Sequence, residues 1–261
     1  MRGELEALGL SVHEDSFSWS RTPEEPSLSM ANLWAEVPGA EPGLFIVATP
    51  LDSAPGASGT IPGANEGGSG AALLLELGRA LHEQPLAYPV RLLFLDAELF
   101  DDEAPFLGSE HAYHVLSDSG ALETVRLLLY LHQVGDSELE IRRDLYSDRP
   151  LRDIFFAAAR SKGHADSFPS TAPYDEMRLG QWVFVTHRFQ RVVALADLRY
   201  GGSEVPGAHW RTAQDDLAHC SAQSLEAVGT VVLVGLEKAA QRQLVVDHAA
   251  RAAHPVEDGH P

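Results

Sequence analysis

The sequence predicts an α/β fold, a three-layer α/β/α sandwich around a mixed, mostly parallel central sheet. Three observations predict it. Short runs such as "RLLFLD" and "VRLLLYLH" are almost continuously apolar, the pattern of strands covered on both faces. Segments with helical spacing of Leu and Ala stand between those runs, as in βαβ units. No Pro/Gly linker and no repeat divides the 261 residues, so a single domain over 31–249 is expected, with an N-terminal arm at 1–30 and a disordered tail at 250–261.

The elements follow in order. Residues 1–30 are polar and acidic and contain "RTPEEPS"; they predict a short helix followed by a strand or arm. "NLWAEV" (32–37) alternates, "PGAEPG" signals a turn, and "LFIVAT" (44–49) reads as the partner strand of a hairpin. A Gly/Pro/Ser-rich loop fills 50–70. "GAALLLELGRALHE" (70–83) places Leu73, Leu74, Leu77 and Leu81 on one helical face. A strand at 88–96 runs into an acidic loop, 97–106, and then the helix "LGSEHAYHVLS". A strand at 125–135 follows. The helix at 150–163 has Pro near its start and Gly at its end. A strand at 191–198 and a long helix at 220–244 complete the chain.

Charge excludes some functions. With 38 acidic against 19 basic side chains the formal net charge is −19. Nucleic acid and anionic lipid both need a basic surface, so neither is an expected partner. Cys220 is the only cysteine, so no intrachain disulfide is expected. The start "MRGELEALGLSVHED" lacks an apolar signal core and no run reaches membrane-spanning length. A cytoplasmic protein without a membrane role is expected.

Five segments carry chemistry. They are "TPLDS" (49–53), "IPGANEGGSGAALLLELGRAL" (61–81), "LLFLDAELFDDEAPFLGSEHA" (92–112), "LHQVGD" (131–136) and "HWRTAQDDLAHCSAQSLEAVG" (209–229). Carboxylates at the exits of buried parallel strands are where open α/β sheets place active sites. In order and wording these segments resemble the zinc aminopeptidase and glutaminyl-cyclase family, whose versions read H-x-D-S, P-G-A-N-D-G-x-S-G, F-D-G-E-E with L-G-S-E-H, D-M-V-G-D and W-H-T-x-x-D. The resemblance spans roughly residues 30–245 and implies the zinc-exopeptidase type of sandwich.

It also implies which positions held metal. The first His falls on Pro50, which has no donor, while its supporting carboxylate is present as Asp52. The bridging Asp falls on Glu66, one carbon–carbon bond longer, more than the tight spread of metal–ligand distances allows. The general base falls on Glu98, and the ligand beside it on Leu99. The Asp of D-M-V-G falls on His132. The last His falls on Arg211, a permanent cation. Asp175 aligns loosely with a further acidic ligand. Zinc needs three or four converging N, S or O donors, so no cofactor is expected. The resemblance therefore implies a catalytically degenerate homologue, a pseudoenzyme acting as a protein- or peptide-binding or scaffolding module. The alternative is an active aminopeptidase or cyclase whose zinc is held by Glu66, His132, His209 and Asp175, with Glu98 as base. Removing the metal leaves carboxylates crowded together, and Arg211 is expected to bridge Glu66 or Glu98, with Glu98 the favoured partner.

The remaining features carry bland readings. His111 and His114 lie three apart without acidic neighbours in a zinc pattern, and Asp101–Glu103 lacks a calcium-loop pattern. Cys220 opens the last helix, where a thiolate is favoured, yet it has no His partner in sequence.

Overall fold

The computed structural model describes residues 1–55, 61–101 and 103–253. Six strands form one sheet: β1 (Val12–Trp19), β2 (Leu28–Val37), β3 (Leu44–Pro50), β4 (Val90–Leu95), β5 (Val125–His132) and β6 (Val192–Ala196), in the order β1-β2-β4-β3-β5-β6. The β1–β2 and β2–β4 pairs are antiparallel; β4–β3, β3–β5 and β5–β6 are parallel. The sheet is mixed and mostly parallel, as predicted.

Helices cover both faces. Alternate residues of β3 separate cleanly: Phe45 and Val47 pack with the helices α1 (Arg2–Ala7), α2 (Gly70–Glu83), α4 (Arg149–Lys162) and α6 (Ala222–Ala253). Leu44, Ile46 and Ala48 pack with α3 (Leu107–Asp118) and α5 (Gln181–Thr186). Each fully buried Leu, Val or Phe removes enough apolar surface to contribute about 1.5–3 kcal/mol.

Two expectations are corrected. β2 and β3 do not form a hairpin, because β4 lies between them. "PGAEPG" reverses the chain, but all seven residues of β3 are buried, and such a strand needs a neighbour on each edge. β2 is partly exposed and fits nearer the rim. The loop expected over 50–70 closes with a π-helical turn, Ala64–Ser69, which runs into α2. It forms because the Asp215 carboxylate accepts the Asn65 and Glu66 backbone N–H groups at 2.6 and 3.3 Å. Gly67 lets this turn pass over the preceding loop, since a Cβ there would stand 2.5 Å from the Asp52 carbonyl oxygen.

The N-terminal residues supply α1 and the edge strand β1. The tail expected at 250–261 overlaps α6 as far as Ala253; 254–261 lie outside the described residues, as does Asp102 of the acidic run.

α4 and α6 pack closely enough that a Cβ at Gly235 would come 2.2 Å from the ring of the fully buried Phe155. Gly235→Ala is expected to lower stability by about 1–3 kcal/mol through overpacking, although Ala alone favours a helix by about 1 kcal/mol. The urea denaturation midpoint checks this.

Candidate functional site

The parallel strands β3, β4, β5 and β6 end along one edge of the sheet, at Pro50, Leu95, His132 and Ala196. The loops leaving them carry the candidate residues. Asp52 is a clamp: its two carboxylate oxygens accept the backbone N–H groups of Glu98 and Leu99 at 3.0 and 2.8 Å. Burial raises its pKa, and those N–H bonds oppose the rise.

Glu66 is 1% exposed. One oxygen accepts the Ala54 N–H at 3.1 Å, and the other lies 3.6 Å from the Arg211 guanidinium Nε. Burial raises the Glu66 pKa; the Ala54 bond and the Arg211 charge pull it down. Arg211 has a positive φ of 54° and lies over the Trp210 ring at 4.4 Å.

Glu98 has different partners from those expected. It is fully buried, accepting the Ser109 N–H at 2.7 Å, the Ser109 hydroxyl at 3.0 Å and the Tyr130 hydroxyl at 2.9 Å. Gly180 covers it so closely that a Cβ would stand 2.1 Å from the carboxylate. Burial dominates these bonds and pushes its pKa up to about 8. The arginine expected beside Glu98 is beside Glu66. Glu98 sits on the α3/α5 side of the sheet, whereas the Glu66 carboxylate faces Ala54 and Arg211.

The other candidates are spread. His132 is 3% exposed, and its Nδ1 has no hydrogen-bond partner; burial, then the nearby Arg211 charge, push its pKa down to about 3, so it is neutral at pH 7. Asp175 is gripped by Arg199 through two bonds of 2.7 Å. His209 packs edge-on to Tyr200 and against His219. Pro50 is buried and Leu99 is 6% exposed. His111 stacks on Phe17 and His114 meets Tyr113 and His187 edge-on. Cys220 shows the opposite of a favoured thiolate: burial, with Asp215 adding, pushes its pKa up to about 11.

Ser109, Tyr130, Asp215 and Arg199 were missed by sequence reasoning. Ser109 lies within the "LGSEHA" motif, and Tyr130 is buried on the face of β5 that packs with α3 and α5. Ser109 carried a signal in that motif, and so did Asp215, the Asp that closes the W-H-T-x-x-D pattern; Tyr130 and Arg199 carried none.

Residues 32–235 match Peptidase family M28. The chain belongs to peptidase family M28. Among solved structures, an Acidobacteriales bacterium glutaminyl cyclase is 28% identical with a TM-score of 0.82, covering 92% of this chain and 84% of that one. A Zn-dependent exopeptidase from Parabacteroides distasonis is 19% identical, TM-score 0.78, covering 88% and 85%. A leucine aminopeptidase precursor from Bacteroides thetaiotaomicron is 22% identical, TM-score 0.76, covering 90% and 85%; these last two show the fold alone. No curated protein sequence matches the chain. The zinc aminopeptidase and glutaminyl-cyclase-like family and its zinc-exopeptidase type of α/β fold are therefore those of this M28 chain.

The residues present do not fit the zinc named for the Parabacteroides distasonis exopeptidase. Pro50 and Leu99 offer no donor, and a guanidinium stands against Glu66. Among the described residues, no three His, Cys, Asp or Glu are grouped so as to hold a metal ion. The set Glu66, His132, His209 and Asp175 does not assemble.

Arg211→Ala is expected to cost about 1–3 kcal/mol at pH 7, because a buried carboxylate loses a charged neighbour. That falls below the roughly 3–5 kcal/mol of a fully buried pair, since the guanidinium keeps some water. Adding Glu66→Gln to this variant is expected to recover part of the loss, read by a denaturation double-mutant cycle.

Glu98 gives a second expectation. Unfolded it titrates near 4.5 and folded near 8, so folding takes up a proton between those values. Its contribution is full below about pH 4.5 and is lost as pH rises to about 8. The stability advantage of the wild type over Glu98→Gln is expected to shrink from pH 5 to pH 8, measured by urea denaturation at both.

Proposed function

We propose that this M28 chain is a metal-free, catalytically silent member of its family that works in the cytosol as a protein- or peptide-binding or scaffolding module. The observation that carries the reading is the Arg211 guanidinium 3.6 Å from Glu66. A fixed cation there satisfies a carboxylate that a metal would otherwise neutralise, and it repels an incoming metal. A second observation supports it. Glu98 is fully buried with its carboxylate oxygens taken up by Ser109 and Tyr130, so no exposed oxygen is left to reach a substrate proton as a general base must.

A binding role has room at the strand ends. A cavity of about 570 Å³ is walled by His132, Met177, Leu198, Val205 and Trp210. Mostly apolar walls with a few polar groups are the usual makeup of a pocket for a side chain or peptide end. The alternative, an active enzyme with rearranged ligands, needs His132 and Asp175 to converge, and Asp175 is already held by Arg199.

Metal analysis of purified protein tests the proposal. Less than about one-tenth of a zinc per chain is expected, with no turnover of aminoacyl or N-terminal glutaminyl substrates in added Zn²⁺, Mn²⁺ or Co²⁺. One tightly held zinc per chain together with turnover would overturn it. Conversely, the combined variant Pro50→His, Glu66→Asp, Leu99→Glu, His132→Asp and Arg211→His is expected to gain stoichiometric zinc.

A further inference from the structure

We propose that the groove between α2 and α6 docks a basic amphipathic helix of a partner protein. This surface is separate from the strand ends, and the inference stands whether or not that site is silent. Leu73, Leu77, Leu225 and Leu233 line a cavity of about 380 Å³ between the two helices. A second hollow of about 420 Å³ continues it past Ala80 and Leu233 to Leu86 and Val234. Gly229 helps keep the trough open, since it adds no side chain where α6 passes over Leu73. From Leu225 to Glu237, α6 rises roughly 18 Å at about 1.5 Å per residue. That is the length of three helical turns, enough for apolar anchors at i, i+3 or i+4 and i+7.

The rim selects the occupant. Glu76 and Glu83 flank the apolar floor from α2, and Glu226 and Glu237 from α6. Arg79, the only Lys or Arg of α2, is held between Glu76 and Glu83 at 2.6 Å each. Glu226 and Glu237 pair with no cation among the described residues, and neither Lys238 nor Arg242 lines the groove. An apolar floor between two acidic walls complements a helix with one apolar stripe and Lys or Arg on both flanks. A second copy would bring the same acidic rim, and an anionic membrane would be repelled. The chain's own last eight residues, "HPVEDGHP", contain two acids and no Lys or Arg.

The probe is a synthetic helix of about 16 residues, with Leu at i, i+3, i+4 and i+7 and Lys elsewhere, read by fluorescence anisotropy with the full chain. The control is a peptide of equal composition without the helical stripe. The striped peptide is expected to bind at least about tenfold more tightly than the control. Ala72→Arg, at an exposed position on the wall, and the pair Glu226→Lys with Glu237→Lys are expected to weaken it by at least about tenfold with unchanged thermal midpoints. Equal binding of both peptides, undiminished binding by folded variants, or a homodimer that Ala72→Arg disrupts would each overturn the proposal.

Discussion

A carboxylate buried without a metal must be given N–H donors or a guanidinium, and this requirement ties the strand-end loops together. Asp52, after β3, accepts two N–H groups from the loop after β4. Asp215, in the loop after β6, accepts two from the turn that begins α2. Asp197 accepts from Glu140 and Arg199, and Asp136 from Glu138 and Gly201. Most of these bonds join segments far apart in the chain, so each fixes one loop against another. Burial opposes every such charge, which is why the Asp52, Asp197 and Asp215 pKa values are raised. The N–H donors keep that cost bearable.

Within such a frame, metal and arginine are different ways of meeting one electrostatic demand. A divalent ion gathers several ligands around a point and polarises whatever else it binds. A guanidinium offers its charge in a plane, needs one or two carboxylates, and activates no water. Glu66, longer than the Asp its motif implies, reaches toward Arg211, whose stack on Trp210 helps hold it at a backbone conformation with positive φ.

The layers of the fold were readable because they follow from local patterns. Apolar runs marked β3 to β6, and Leu73, Leu77 and Leu81 marked the buried face of α2. Strand order was less readable. "PGAEPG" specifies a reversal and says nothing about β4 arriving later to take the place between β2 and β3. The site divides similarly. Residue identity alone disqualified Pro50 and Leu99 as ligands. Which carboxylate meets Arg211 depended on contacts between distant segments, with Glu98 enclosed by Ser109 and Tyr130 and Glu66 left facing Arg211. The partners Tyr130 and Ser109 lie 32 and 11 residues from Glu98, distances over which no sequence pattern assigns a contact.

The presence of Glu98 at the base position invites a catalytic reading, but the surrounding donors give it a sufficient structural reason. The Ser109 N–H, the Ser109 hydroxyl and the Tyr130 hydroxyl all point at it in a place closed to water. Replacing Glu98 with an apolar residue would strand those groups, at about 1–3 kcal/mol for each left unsatisfied. With its own proton in place, the carboxyl donates to one of the two hydroxyls, which turns to accept. A carboxylic acid buried this way holds the start of α3 against β5 and the turn before α5. It belongs to the packing of that face.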